Sequence, residues 1–280
     1  MKAIILNLSA WAVLPFMDTI AKYLSAELSF FQITWARYFF TVFWTLPLMF
    51  IFFRKKLTFS ENPKLQILRG LTLFSANICF FYSISIISMA KALTLAFVAP
   101  LVTTALSPIL LGEKVGIKRW TAVIIGFIGS LVVIRPGFIE FNLATVAALG
   151  TGCLYGVYLV ITRKLHTTDN PLLTLLLTGI VGATISTFFV PIVWVNPTNI
   201  QWLWLAIMGI FACLGHILLI YSLRYADASK LAPFGYFEII TNIILGYYVF
   251  KDFPDLWTFL GLFIIISSGI YIFRRELKNK

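Results

Sequence analysis

Apolar residues fill this chain in ten long runs separated by short polar connections. They cover residues 3–24, 29–53, 66–88, 91–111, 119–135, 142–163, 171–195, 201–223, 228–250 and 255–273. Most are apolar on every face, the pattern of helices that touch lipid on one side and other helices on the other. A hydrocarbon layer about 30 Å thick needs roughly 20 apolar residues per helix, so each run predicts one crossing. A β-barrel is excluded, because the runs are too long and do not alternate.

The pattern is written twice. Tyr82-Ser83, Lys91, Glu113 and Arg135 return as Tyr221-Ser222, Lys230, Asp252 and Arg274, each 139 residues later. Met17 to Leu24 lies over Tyr158 to Leu165 at an offset of 141. Two repeats are expected, 1–140 and 141–280, with five helices each. An odd number of crossings sends the second half into the membrane in the opposite direction. The expected fold class is thus all-α integral membrane, with ten transmembrane helices in two inverted five-helix repeats. A duplicated membrane half points to a secondary transporter with its substrate between the repeats.

Composition supports the membrane reading. Hydrophobic residues make up 60% and charged residues 12%, and mean hydropathy is +0.93, whereas a soluble domain is roughly a quarter charged. The net charge of +11 sits in the connections, which argues for the anionic inner leaflet as its partner and against nucleic acid. With the N-terminus in the cytoplasm, 17 Lys and Arg fall on that side, Arg69 among them. Only Lys91, Arg135 and Lys251 fall opposite, and Lys22 and Arg37 lie within spans. The bias predicts an inner-membrane, multi-pass protein with both termini cytoplasmic. Cys79, Cys153 and Cys213 all lie in apolar runs and read as buried small hydrophobes. No HExxH, CxxC, Walker or GxSxG motif is present, so no enzyme, cofactor or metal centre is expected.

Ionisable groups inside a bilayer cost roughly 2.5–3.5 kcal/mol each and usually mark a pathway or a partner. Asp18, Lys22, Arg37 and Glu238 stand in this position. Asp18 and Lys22 share a helix face with Trp11; they read as a structural charge network with Arg37, or, functionally, as a substrate contact or a gate. Glu238 has Thr241 and Asn242 on its face and Pro233 before it, and reads as a substrate or proton site, with a buried structural carboxylate as the alternative. Tyr82, Tyr155, Tyr158, Tyr236 and Trp11 are candidates for a cavity wall suited to a flat or cationic solute. Asn77 and His216 are further candidates, His216 as a hydrogen-bonded structural group or a proton relay. A small-molecule substrate and a coupling proton are the expected partners, besides the bilayer.

Three stretches carry a family resemblance: Ala90-Lys91-Ala92-Leu93-Thr94 through Pro100, Leu111-Gly112-Glu113-Lys114, and Gly126-Phe127-Ile128-Gly129. Their counterpart runs from Asp227-Ala228-Ser229 through Ala232-Pro233 to Glu238. Along essentially its whole length the chain resembles the EamA-type branch of the drug/metabolite transporter superfamily. That resemblance implies ten helices in two repeats and transport of a small metabolite by alternating access. Ala232 to Glu238, continuing through Phe250 to Asp255, resembles S-adenosylmethionine uptake carriers. Met17-Asp18, Ala21-Lys22-Tyr23 and Trp35 to Phe40 are shared with relatives that include riboflavin importers. Export of amino acids or amines, and a non-transporting assembly or lipid-handling role, are the competing readings. Glu238 lies over Ala99 in the aligned repeat, so the chemistry is expected to be asymmetric.

Overall fold

Pro63 and Pro171 open two helices at their first position, where a missing N–H costs nothing. Asn170 caps the second of these by accepting the N–H of Leu172, and Asn142 caps a third helix by accepting the N–H of Thr145. Thr198 and Gln201 form a reciprocal capping box at the head of a fourth helix. The structure, a computed structural model, describes residues 1–53, 60–134, 142–251 and 256–278. Arg54, Lys55, Lys56, Arg135, Asp252 and Lys280 lie outside the described residues.

The elements are α1 (Lys2–Leu24), α2 (Phe30–Phe53), α3 (Pro63–Ile86), α4 (Met89–Ala96), α5 (Ala99–Leu111) and α6 (Ile117–Ile134). They continue with α7 (Leu143–Lys164), α8 (Pro171–Phe189), α9 (Asn199–Tyr225), α10 (Ala228–Leu231), α11 (Glu238–Leu245) and α12 (Leu256–Lys278). No strand occurs among the described residues. Five helical segments there are long and apolar enough to cross a membrane: Lys2–Leu24, Pro63–Ile86, Leu143–Thr167, Pro171–Val193 and Asn199–Tyr225. Large apolar side chains such as Ile109, Phe188, Ile192 and Leu256 point outward, as lipid-facing residues do.

Two expected spans are not continuous. The run 91–111 is α4 and α5, which part at Phe97-Val98 with Pro100 in the first turn of α5. The run 228–250 is α10, a 3₁₀ stretch Ala232–Phe237, α11 and a π-helical turn Gly246–Phe250. Proline removes a helical N–H and clashes with the preceding turn, so Pro100 and Pro233 break what hydrophobicity alone would continue. In a membrane such irregular backbone survives where it lines a cavity.

α1 packs on α9, α3 on α7, α2 on α8 and α6 on α12. The first two pairs are antiparallel. Asn7 Nδ2 donates to Ser222 Oγ at 3.1 Å near one end of α1, and Tyr23 meets Trp204 near the other. Ser83 Oγ donates to Ala144 O at 2.8 Å and Arg69 Nε to Thr162 Oγ1 at 2.7 Å, at opposite ends of the α3–α7 pair. Gly152 on α7 makes room for the α4–α5 break. A Cβ there would sit 2.4 Å from the carbonyl oxygen of Ala96.

Candidate functional site

The two broken segments and the inner faces of α1, α3, α7 and α9 enclose one cavity of about 90 Å³, measured at water centres. At roughly 10–15 Å³ per water on that measure, it is room for several waters or part of a solute. Its polar wall is built from Trp11, Asp18, Asn77, Tyr155, His216 and Glu238. Phe97, Pro100, Ala228 and Leu231 of the broken segments supply apolar wall.

Asp18 and Glu238 are 5% and 8% exposed, and among the described residues neither carboxylate has a hydrogen bond or an ion pair. They act on each other electrostatically across the cavity. Arg37 acts on Asp18 from behind the wall, but two buried carboxylates against one such cation remain costly, and a bound cation or proton lowers the cost. Trp11 stands beside them with its plane fixed, Nε1 donating to Asn7 Oδ1 at 2.9 Å. The Tyr155 ring lies 6.0 Å from Trp11 and 5.2 Å from Tyr158, tilted in both cases. Its hydroxyl is inaccessible and has no hydrogen-bond partner, and buried polar atoms are rarely left so.

Behind this wall runs a chain of cations and rings. Arg37 is 1% exposed; one NH2 lies 2.6 Å from His216 Nε2, and Nε lies 3.2 Å from Met17 Sδ. Guanidinium only donates, so Nε2 accepts and the imidazole proton sits on Nδ1. From there it reaches Tyr158 Oη at 3.1 Å. Tyr158 also accepts from Arg69 NH2 at 2.7 Å, and the guanidinium carbon of Arg69 stands 4.6 Å over its ring. Arg69 donates further to Thr162 Oγ1, to Thr174 O at 3.1 Å and to Thr178 Oγ1.

The structure thus relocates several sequence expectations. Arg69, counted among cytoplasmic loop charges, is inside α3 and fully buried. Lys22 donates to the carbonyls of Ile84 and, at 3.5 Å, Ile87, at the end of α3. Tyr158 stands one layer behind the wall. Tyr236 donates to Val123 O at 3.0 Å and packs on Gly126, away from the cavity lining. Tyr82 meets Phe30 edge-on, also away from the lining. Thr241 is half-buried off the wall. Asn242 is buried there too, with Nδ2 on Glu238 O at 3.2 Å and Oδ1 unpaired. Cys213 is buried, but Cys79 is only partly so and Cys153, on α7, is exposed. All three are free. Among the described residues no three His, Cys, Asp or Glu cluster as metal ligands would.

The sequence profile of the EamA-like transporter family matches twice, over residues 1–135 and 142–274. The chain belongs to that family. It is a multi-pass membrane transporter. It is similar to the S-adenosylmethionine uptake transporter of Rickettsia bellii, with 29% identity over 93% of this chain and 89% of that one. It is also similar to the riboflavin transporter of Vibrio cholerae, with 29% identity over 68% of this chain and 64% of that one. A solved crystal structure superposes with a TM-score of 0.77 at 17% identity, covering 95% of this chain and 94% of that one. At that identity the likeness speaks for the fold alone.

Proposed function

We propose that this transporter takes up a cationic, ring-bearing metabolite of the S-adenosylmethionine class by alternating access. The observation that carries the reading is a cavity walled by two buried carboxylates, Asp18 and Glu238, for which Arg37 behind Asp18 is the one cation found acting on either among the described residues, beside the Trp11–Tyr155 aromatic wall. S-Adenosylmethionine has a fixed sulfonium charge, an ammonium group and a flat adenine, which suit those groups in turn. Riboflavin offers a ring but no cation to the carboxylates. Trp11, Asp18, Asn77, Tyr155, His216 and Glu238 contact the solute. Tyr158, Arg37, Arg69 and Lys22 hold the helices that carry them. Tyr82, Tyr236, Thr241 and Asn242 act from behind the wall. A proton bound to one carboxylate alongside the cation on the other, with both released on the cytoplasmic side, couples uptake to an inward proton gradient.

The fold is read as ten crossings in two inverted repeats, 1–140 and 141–280. Helix packing supports this, because exchanging the halves turns the α1–α9 contact into α7–α3 and leaves α2–α8 and α6–α12 unchanged. Lys2, Arg163, Lys164, Arg224 and Lys230 gather at one end, with Lys2 Nζ on Tyr225 Oη at 3.2 Å. That end is taken as cytoplasmic, in an inner membrane, with both termini there. The test is uptake of radiolabelled S-adenosylmethionine into proteoliposomes, competed by unlabelled riboflavin, amino acids and amines. Saturable uptake that riboflavin fails to compete is the expected result. Uptake of riboflavin with none of S-adenosylmethionine would replace the substrate class.

A further inference from the structure

We propose that Glu113 and Arg163 form the gate that closes the cavity at its basic end, a reading that rests on the central cavity being the transport site. Gly112 ends α5 in the left-handed region, at φ 68°, which glycine adopts without a Cβ penalty. The Glu113 N–H then bonds Ser107 O at 3.3 Å, and its carboxylate turns toward the second half of the chain. Oε1 accepts the Ala228 N–H at 2.9 Å, and Oε2 accepts the Ser229 N–H at 3.0 Å and its hydroxyl at 2.6 Å. Arg163, at the end of α7, places Nε 3.5 Å from Glu113 Oε1 and NH2 3.0 Å from Asp227 Oδ1. Its NH1 donates to Leu223 O at 2.8 Å. Arg119 adds a bond to Ser229 Oγ at 3.1 Å.

The clasp holds the cavity itself. Leu223 and Ala228, whose backbone groups it grips, and Leu231 one turn on, are all cavity wall. Glu113 and Arg119 belong to the first half of the chain, and Arg163, Asp227 and Ser229 to the second. Any rocking of one half against the other at this end must break the bonds of Glu113 to Arg163, Ala228 and Ser229 and that of Arg119 to Ser229 together, while Arg163 keeps Asp227 and Leu223 within its own half. The side chains are 6% exposed for Glu113 and 16% for Arg163, so the carboxylate is screened little while the clasp is shut. Opened, its oxygens and the freed N–H groups meet water, which makes two alternative states out of one contact.

A related grip stands at the far end. Lys22 donates to Ile84 O as Arg163 does to Leu223 O, and these residues are 141 and 139 apart along the repeated sequence. Each end therefore ties the end of one half's third helix to a cation from that half's first helix. The sequence counterpart of Glu113 is Asp252, which lies outside the described residues.

The test needs no substrate. Cys79, Cys153 and Cys213 are replaced, Leu231→Cys is introduced as a probe, and inside-out vesicles are treated with a membrane-impermeant maleimide. Glu113→Ala is expected to raise the labelling rate at least tenfold, and Glu113→Gln, which keeps one acceptor, by less. A second probe, Leu205→Cys, is 1% exposed and off the cavity lining. It is expected to label at the unmodified rate in both variants. Unchanged labelling at 231 overturns the gate. Faster labelling at both probes overturns it in favour of a purely structural clasp. A gate that labels as expected in a protein that moves no S-adenosylmethionine leaves the gate standing and removes only the substrate reading.

Discussion

Arg69 offers a sharp test of how this fold handles a buried charge. It is fully buried in α3 with no carboxylate among its hydrogen-bond partners. Its three nitrogens reach Thr162 and Tyr158 of α7 and Thr174 and Thr178 of α8, so one fork ties three helices. Arg69→Lys keeps the charge, and with it the desolvation cost, but offers a single nitrogen that cannot serve both neighbours. About two bonds to a charged donor are lost, at roughly 1.5–3 kcal/mol each, or about 3–6 kcal/mol. At roughly 2 °C per kcal/mol for a chain of this size, the unfolding midpoint in detergent falls by about 6–12 °C. Arg69→Met removes the bonds and the desolvation cost together. Apolar replacements of buried charges of similar volume are often close to neutral, so Met is expected to cost less than Lys. The assay is thermal unfolding of the purified protein followed by a dye or by loss of monodisperse elution. A lysine variant as stable as the parent, or a methionine variant worse than the lysine one, would mean that Arg69 acts as a bare charge and that the fork reasoning is wrong.

Gly152→Ala drives a Cβ to within 2.4 Å of Ala96 O and is expected to cost about 1–3 kcal/mol by overpacking. Gly150→Ala, with nothing within 4 Å, is expected to be neutral or stabilising by up to about 1 kcal/mol, and thermal unfolding compares the two. Tyr155→Phe removes a hydroxyl that has no partner in the fold, so the unfolding midpoint holds or rises while KM for the transported solute rises about tenfold, near 1.4 kcal/mol; a fall in stability with KM unchanged would make Tyr155 structural. A reporter fused after Lys280 is expected to be active in the cytoplasm and one inserted at Asn196 in the periplasm. Opposite signals at the pair would invert the orientation.

The lengths of α1, α3, α7, α8 and α9 were legible because lipid demands about 20 apolar residues and nothing interrupts those runs. The breaks at Phe97-Val98 and Ala232–Phe237 were not, because the apolar run continues through them and hydrophobicity does not register a lost N–H. Pro100 and Pro233 were the only signs. Asp18 and Glu238 stood out since a carboxylate in an apolar run is expensive enough to be noticed singly, and both are on the cavity wall. Arg69 escaped notice because it stands near the start of its run, where an arginine reads as a snorkelling interfacial charge. Only the fold brings Thr162, Thr174 and Thr178 around it. Lys22 illustrates the converse. Its four-residue spacing from Asp18 placed it in a charge network, and only the fold shows that the end of α3 also presents carbonyls within its reach.

The most direct measurement is uptake of radiolabelled S-adenosylmethionine by Glu238→Gln in proteoliposomes, with and without a proton gradient and in counterflow. Glutamine keeps the shape and most of the hydrogen bonding, so the protein is expected to fold with an unfolding midpoint near that of the parent. A charge-assisted contact of about 1.5–3 kcal/mol sets the expected loss of affinity at roughly 10–100-fold, in uptake and counterflow alike, with the response to the proton gradient reduced. Parent-like KM together with a parent-like pH profile would contradict the placement of the transport site in the Asp18–Glu238 cavity.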